Sequence, residues 1–233
     1  MNKKRPDDIR LNFESEVNSL IDFYQKSENG LKGQEHEGKN LTILSELVFL
    51  NTYVSFETFI SDLFIAYINK KSINYQNKQE AKIKKLVKEH FGDWYSNKIS
   101  MNKVPHLKAE DVERLIDPQG FNLTFNSTEE MKKIAGGWIS QELRESLFRL
   151  SADDCEFIDC CREIRNAIAH KSKRSFTSMN VMLRRVDATS TIAFIHRPAN
   201  DIKNVGVFLK SKIHGEQRII TSMLRLKDIA LAM

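Results

Sequence analysis

Apolar residues recur along this chain at helical rather than strand spacing. Over residues 9–27, Ile9, Phe13, Val17, Leu20 and the pair Phe23-Tyr24 fall three or four positions apart, the period of one face of an α-helix. The polar stretch 27–40, with three Gly, predicts a loop. Residues 41–69 give the strongest helical signal. Leu44, Leu47-Val48, Val54, Phe59, Leu63 and Ile68 lie there with no Gly or Pro between them. Apolar coverage this wide suits a central helix touched from several sides.

Residues 77–91 predict a Lys-rich helix with a thin stripe of Ile83, Leu86-Val87 and Phe91. Residues 92–139 are less regular, with Gly92, Pro105, Pro118-Gln119-Gly120 and Gly136-Gly137 as breakers. Short helical pieces fit near 108–117 and 128–135, and another helix spans 140–150. Ser151-Ala152-Asp153-Asp154 has the form of a capping box, with a Ser N-cap and an acid three residues on. It opens a helix over 152–171, whose Phe157, Cys161, Ile164 and Ile168 make one buried stripe. A helix near 176–186, a short strand in the β-branched stretch 189–196, a turn at His214-Gly215 and a helix over 216–233 complete the expectation. The fold class is all-α. We expect one domain over 1–233, with a core of long up-and-down helices from 9–69 and 140–186. A Lys-rich helical insertion fills 70–139, and 187–233 is a C-terminal extension.

Composition adds exclusions. Hydrophobic residues make up 41% and charged residues 29% of 233, a balance that supports a core. Nine Gly and four Pro are too few for a many-stranded protein. Cys155, Cys160 and Cys161 are odd in number and two are adjacent, a poor disulfide framework, so a reducing compartment fits better. No CxxC pair suggests zinc, and neither a metal nor a cofactor is expected. The charged N-terminus has no apolar run behind it, and no stretch approaches 18 uninterrupted apolar residues. No secretory signal or membrane span is therefore expected, and the expected location is the cytoplasm.

The net charge of +5 is unevenly spread. Residues 162–185 hold seven Lys or Arg against Glu163, and residues 70–108 hold ten Lys against Glu80, Glu89 and Asp93. Clustered positive charge is the footprint of a polyanion partner, although a Lys-rich helix face also suits plain solvation. Trp94-Tyr95 and Trp138 can stack on bases; the plainer reading is anchors of small satellite cores. His90, His106, His196 and His214 have no ligand spacing and read as surface residues.

The strongest chemical signal is Arg165-Asn166-Ala167-Ile168-Ala169-His170, at the end of the 152–171 helix. At about 100° per residue, Arg165, Asn166 and His170 share an arc of roughly 140° opposite the core stripe. Asn166 and His170 are four apart and can touch. These residue types suffice to cut RNA, which carries its own nucleophile in the 2′-OH. A His that titrates near neutrality can take the 2′ proton or protonate the leaving 5′ oxygen. A guanidinium meets the charge that builds on phosphorus-bound oxygens, and Asn166 can hold the imidazole or bind phosphate. In the bland alternative, His170 merely answers the helix dipole and Arg165 is plain surface.

This six-residue run, followed by dense positive charge, resembles the signature of the HEPN superfamily, an Arg, a few residues and a His. Phe56-Glu57-Thr58-Phe59-Ile60 in the long upstream helix resembles the E-x-F-I helix of several bacterial HEPN families. The likeness covers 41–69 and 140–186. It implies a HEPN-like helical bundle and a homodimer that combines two Arg–His sets in one cleft. It also implies metal-independent RNA cleavage and the role of a toxin or phage-defence effector, with an antitoxin or defence-system protein as a further partner. On this reading Arg165, His170, Asn166 and Glu57 form the catalytic set, with Glu57 orienting Arg165 or His170. A structural ion pair is the plainer role for Glu57. Arg162, Lys171, Lys173, Arg174, Arg184 and Arg185 are expected to bind RNA. The competing expectation is a non-catalytic HEPN module, a helical dimer that binds RNA, a nucleotide or a protein.

Overall fold

A computed structural model describes residues 4–185 and 200–233, without the side chain of Arg185. The described residues form eleven helices and one two-stranded hairpin, so the all-α class holds. The strand expected over 189–196 lies outside the described residues. The chain divides into two compact units, one of Met1–Ile9 with Ile60–Arg149, the other of Arg10–Phe59 with Leu150–Met233. Helices α1 (Pro6–Leu31) and α2 (Glu37–Lys70) each contribute to both.

The loop expected over 27–40 shrinks to a tight turn. Helix α1 continues through Gly30, and the chain reverses at Gly33 and His36, both with positive φ (73° and 62°). Gly adopts that conformation freely, which is why the reversal centres there.

In the unit of Arg10–Phe59 and Leu150–Met233, Phe13 of α1 packs on Phe56 and Phe59 of α2 with ring centroids 5.8 and 5.2 Å apart. Tyr24 and Ser45 share a buried hydroxyl contact of 3.0 Å. Helix α8 (Ala152–His170) starts at the expected capping box, with Ser151 accepting from the Asp154 amide and Asp154 accepting from Ser151. The expected stripe of Phe157, Cys161, Ile164 and Ile168 is buried. Burial pushes the Cys160 thiol up to about 12 and the Cys161 thiol well above its ordinary range, so both act as small apolar residues. After Lys171, whose φ is 47°, α9 (Lys173–Arg185) turns back against α8. Two elements escaped the sequence pattern. One is the short helix α10 (Val205–Lys210), and the other is a hairpin of β1 (Lys212–Ile213) and β2 (Glu216–Gln217). The expected turn at His214-Gly215 joins the strands, and both its residues have positive φ, as a type I′ hairpin demands. Helix α11 (Arg218–Ala232) follows.

Gly206 sets how closely α10 approaches α2. A Cβ there would lie 2.2 Å from the Thr42 carbonyl oxygen, and the Gly206 amide donates to Glu46 at 3.1 Å. Gly206→Ala should destabilise the protein by about 1–3 kcal/mol, the usual cost of overpacking, read as a lower midpoint in urea unfolding.

Helix α2 is long and apolar enough to cross a membrane. Much of that character goes into packing, since Phe49, Leu63, Phe64 and Ile68 are fully buried. Its wide coverage does not mean burial all round, however, because Ile43, Leu47 and Val54 leave an exposed apolar stripe on its first half.

In the unit of Met1–Ile9 and Ile60–Arg149, α2 is followed by α3 (Ile73–Phe91), α4 (Asp93–Ser96), α5 (Ala109–Ile116), α6 (Thr128–Trp138) and α7 (Gln141–Phe148). The Gly136-Gly137 pair does not stop α6, which ends only after Trp138. Buried amides fasten the irregular stretch before α5. Gln76 donates to and accepts from the Val104 backbone at 2.6 and 3.1 Å, and Asn69 donates to the Leu107 carbonyl at 2.6 Å. Without such partners that backbone would stay unsatisfied.

Lys103 and Lys84 clasp Glu80 at 2.5 and 2.6 Å and hold its carboxyl down to about 2. An unfolded Glu ionises near 4.3, so the folded state binds fewer protons between these values. The stabilisation is complete above that range and is lost as pH falls towards 2. Glu80→Gln should therefore be less stable than the parent at pH 7, and chemical unfolding should show the gap closing as pH drops from about 4.3 to 2.

Candidate functional site

The candidate site lies within the unit of Arg10–Phe59 and Leu150–Met233. Its centre is an ion pair between Arg165 on α8 and Glu57 on α2, in which one terminal nitrogen of Arg165 donates to Glu57 Oε2. The other, Nη1, donates to Asn166 Oδ1 at 3.0 Å. The side chains of Arg165 and Glu57 are 24% and 15% exposed, so the pair is largely desolvated yet still reachable from solvent. Glu57 sits on an apolar helix because the guanidinium answers its charge; unpaired, a carboxylate there would be costly. Two of the five Arg165 N–H donors are used in these bonds, and Nε is buried with no partner among the described residues.

Of the four residues expected to form the catalytic set, three meet. Glu57 reaches Arg165 and not His170. His170 is the last residue of α8 and is exposed. It belongs to no hydrogen bond with Arg165, Asn166 or Glu57, and the i, i+4 proximity of Asn166 and His170 does not become a bond. Nearby, Tyr53 donates to the Ile158 carbonyl at 3.5 Å, and burial pushes its phenol well above its ordinary range, so it remains neutral.

The basic residues divide. Arg162 is largely buried and paired with Glu163 at 2.8 Å. Lys171, Lys173 and Arg184 line a groove of about 350 Å³ along α9, together with Phe176, Thr177 and Lys203. Arg184 is already paired with Asp201. Arg174 is exposed beside the groove without lining it. The side chain of Arg185 lies outside the described residues. Lys203 is a member that sequence reading missed, for it is far along the chain and no motif surrounds it. It is held there by Asn180, whose side-chain amide donates to the Ile202 carbonyl at 3.1 Å and accepts from the Ile202 amide at 2.8 Å. Among the described residues, no three His, Cys, Asp or Glu side chains are grouped as a metal would require.

Comparison with family models, curated proteins and solved structures gives no match to this chain. The functional reading therefore stands on the residues and their geometry.

Proposed function

We propose that this chain is a HEPN-type, metal-independent endoribonuclease that acts as a homodimer in the cytoplasm, in the role of a toxin or phage-defence effector. The observation that carries the proposal is the half-buried Glu57–Arg165–Asn166 set, one to two turns before His170, with a basic groove beginning at Lys171. Glu57 and Asn166 fix the guanidinium, so that its remaining donors are pre-aimed at a phosphate. His170 takes the 2′-OH proton, O2′ attacks phosphorus and the P–O5′ bond breaks. The products are a 2′,3′-cyclic phosphate and a 5′-hydroxyl, whose proton comes from an imidazolium. A second copy supplies that second imidazole. The exposed stripe of Ile43, Leu47 and Val54 runs along α2 on the same face as Glu57, which gives the second copy an apolar surface beside the site.

The test is cleavage of total RNA by the purified protein in excess EDTA, with the ends analysed. Cleavage with 2′,3′-cyclic ends supports the proposal. Light scattering at micromolar concentration should then give about twice the chain mass of 27.0 kDa, and a strict monomer would remove the composite site. One observation favours the second reading, a non-catalytic HEPN module: in a single chain His170 makes no bond to the Arg165 set. RNA binding with no cleavage at any concentration selects that reading.

A further inference from the structure

The lysines of α3 fall into two groups. Lys84 and Lys88 are neutralised by Glu80 and Asp93 at 2.6 and 2.8 Å. Lys78 and Lys82 have no carboxylate within ion-pair distance among the described residues, and Lys85 has only a long, exposed contact of 3.8 Å to Glu89, which is worth little. Lys78, Lys82 and Lys85 recur at i, i+4 and i+7, so they share a face and climb it in steps of about 6 and 4.5 Å. That face forms one wall of a groove of about 360 Å³, and the other wall is Trp138 on α6. Tyr75 holds the indole edge-on, with ring centroids 5.2 Å apart at 87°. The Lys78 stem lies along α6, where a Cβ at Gly137 would meet it at an ordinary contact distance of 3.5 Å.

The geometry points to a binding platform for single-stranded RNA in this groove, separate from the Arg165 site. A ladder of ammonium groups, two without a carboxylate partner among the described residues and one weakly paired, tracks a phosphodiester backbone, and a fixed aromatic face receives a base; together these are the recognition elements of sequence-tolerant single-strand binding. Duplex RNA fits less well, because its bases are already stacked and do not reach an indole. The choice of RNA as the polymer rests on the function proposed above; the groove's own affinity is measured without reference to cleavage.

Trp94 and Trp138 are the chain's two tryptophans, so full-length Trp94→Phe leaves Trp138 as the sole indole reporter. Titration with a 12-residue oligouridylate should quench its fluorescence. In K78Q/K82Q/K85Q, all exposed positions, affinity should fall. The slope of log K against log salt should flatten by about 2, for three phosphates at about 0.7 each. Trp138→Ala, followed by anisotropy of a labelled oligomer, should weaken binding by about 5- to 150-fold. Circular dichroism and thermal unfolding confirm folding, and the glutamine triple variant serves if Trp138→Ala unfolds. Unchanged affinity and salt slope in the triple variant overturn the inference. So does quenching by vesicles of 30% phosphatidylserine in phosphatidylcholine but not by the oligomer. If the parent binds through the groove yet never cleaves, the platform stands and the nuclease reading falls. If cleavage needs His170 but the groove variants bind normally, the reverse holds.

Discussion

His170→Ala is expected to lower the rate of RNA cleavage by about 10²–10⁴-fold, the usual loss when a positioned acid or base is removed. His170 is exposed at the last turn of α8 and takes no part in the Arg165 hydrogen bonds. Its removal therefore costs stability only through the helix dipole, about 1 kcal/mol or less. The pairing of a large kinetic effect with a small thermal one makes the experiment decisive. Single-turnover cleavage and a thermal melt on the same preparation measure both. Full activity in His170→Ala would shift the assignment to His90 or His106 of the other unit.

Arg165 should behave differently. Sequence alone places it on an open face, where truncation would cost activity and nothing else. In the structure it is largely buried against Glu57. Arg165→Ala should cost about 10²–10³-fold in rate through lost transition-state stabilisation. It should also destabilise the fold by about 1–3 kcal/mol, because the Glu57 carboxylate loses its partner; partial exposure keeps this below the 3–5 kcal/mol of a fully buried pair. Arg165→Lys separates the two effects. It keeps a cation opposite Glu57 but not the forked donors, so stability should largely return while activity does not. Recovery of activity in Arg165→Lys would show that charge alone is needed and would remove the argument from geometry. The unfolding midpoint of Arg165→Ala combined with Glu57→Gln should lie above that of Arg165→Ala alone, since no orphan carboxylate remains.

What the sequence disclosed follows from range. Helices α2 and α8 were legible because their signals are local: an unbroken apolar run in one, a capping box and an i, i+4, i+7 stripe in the other. The Glu57–Arg165 contact joins residues 108 positions apart. A charge on an apolar helix demands a partner, but that argument alone does not say whether Arg165 or His170 supplies it. Lys203 and the Gly206 approach to Thr42 gave no such hint, since both depend on where the chain returns after α9. The turn at Gly33 is far shorter than the loop that three Gly predict, because Gly30 and Gly38 sit within helices. The Arg162–Glu163 pair joins neighbours in sequence, and the net charge of the segment conceals it.

The Asn180 clamp on Ile202 bears on how the groove breathes. Ile202 belongs to no helix or strand, and its neighbours Asp201 and Lys203 are exposed. Its amide nevertheless donates to the carboxamide oxygen of a buried residue, and Ile202 itself is only 6% exposed. That amide should trade its hydrogen for deuterium at the slow pace of α9, while the amides beside it exchange quickly. One side chain thus makes an irregular segment answer to the opening of a helix, and the groove wall is as long-lived as the helix that holds it.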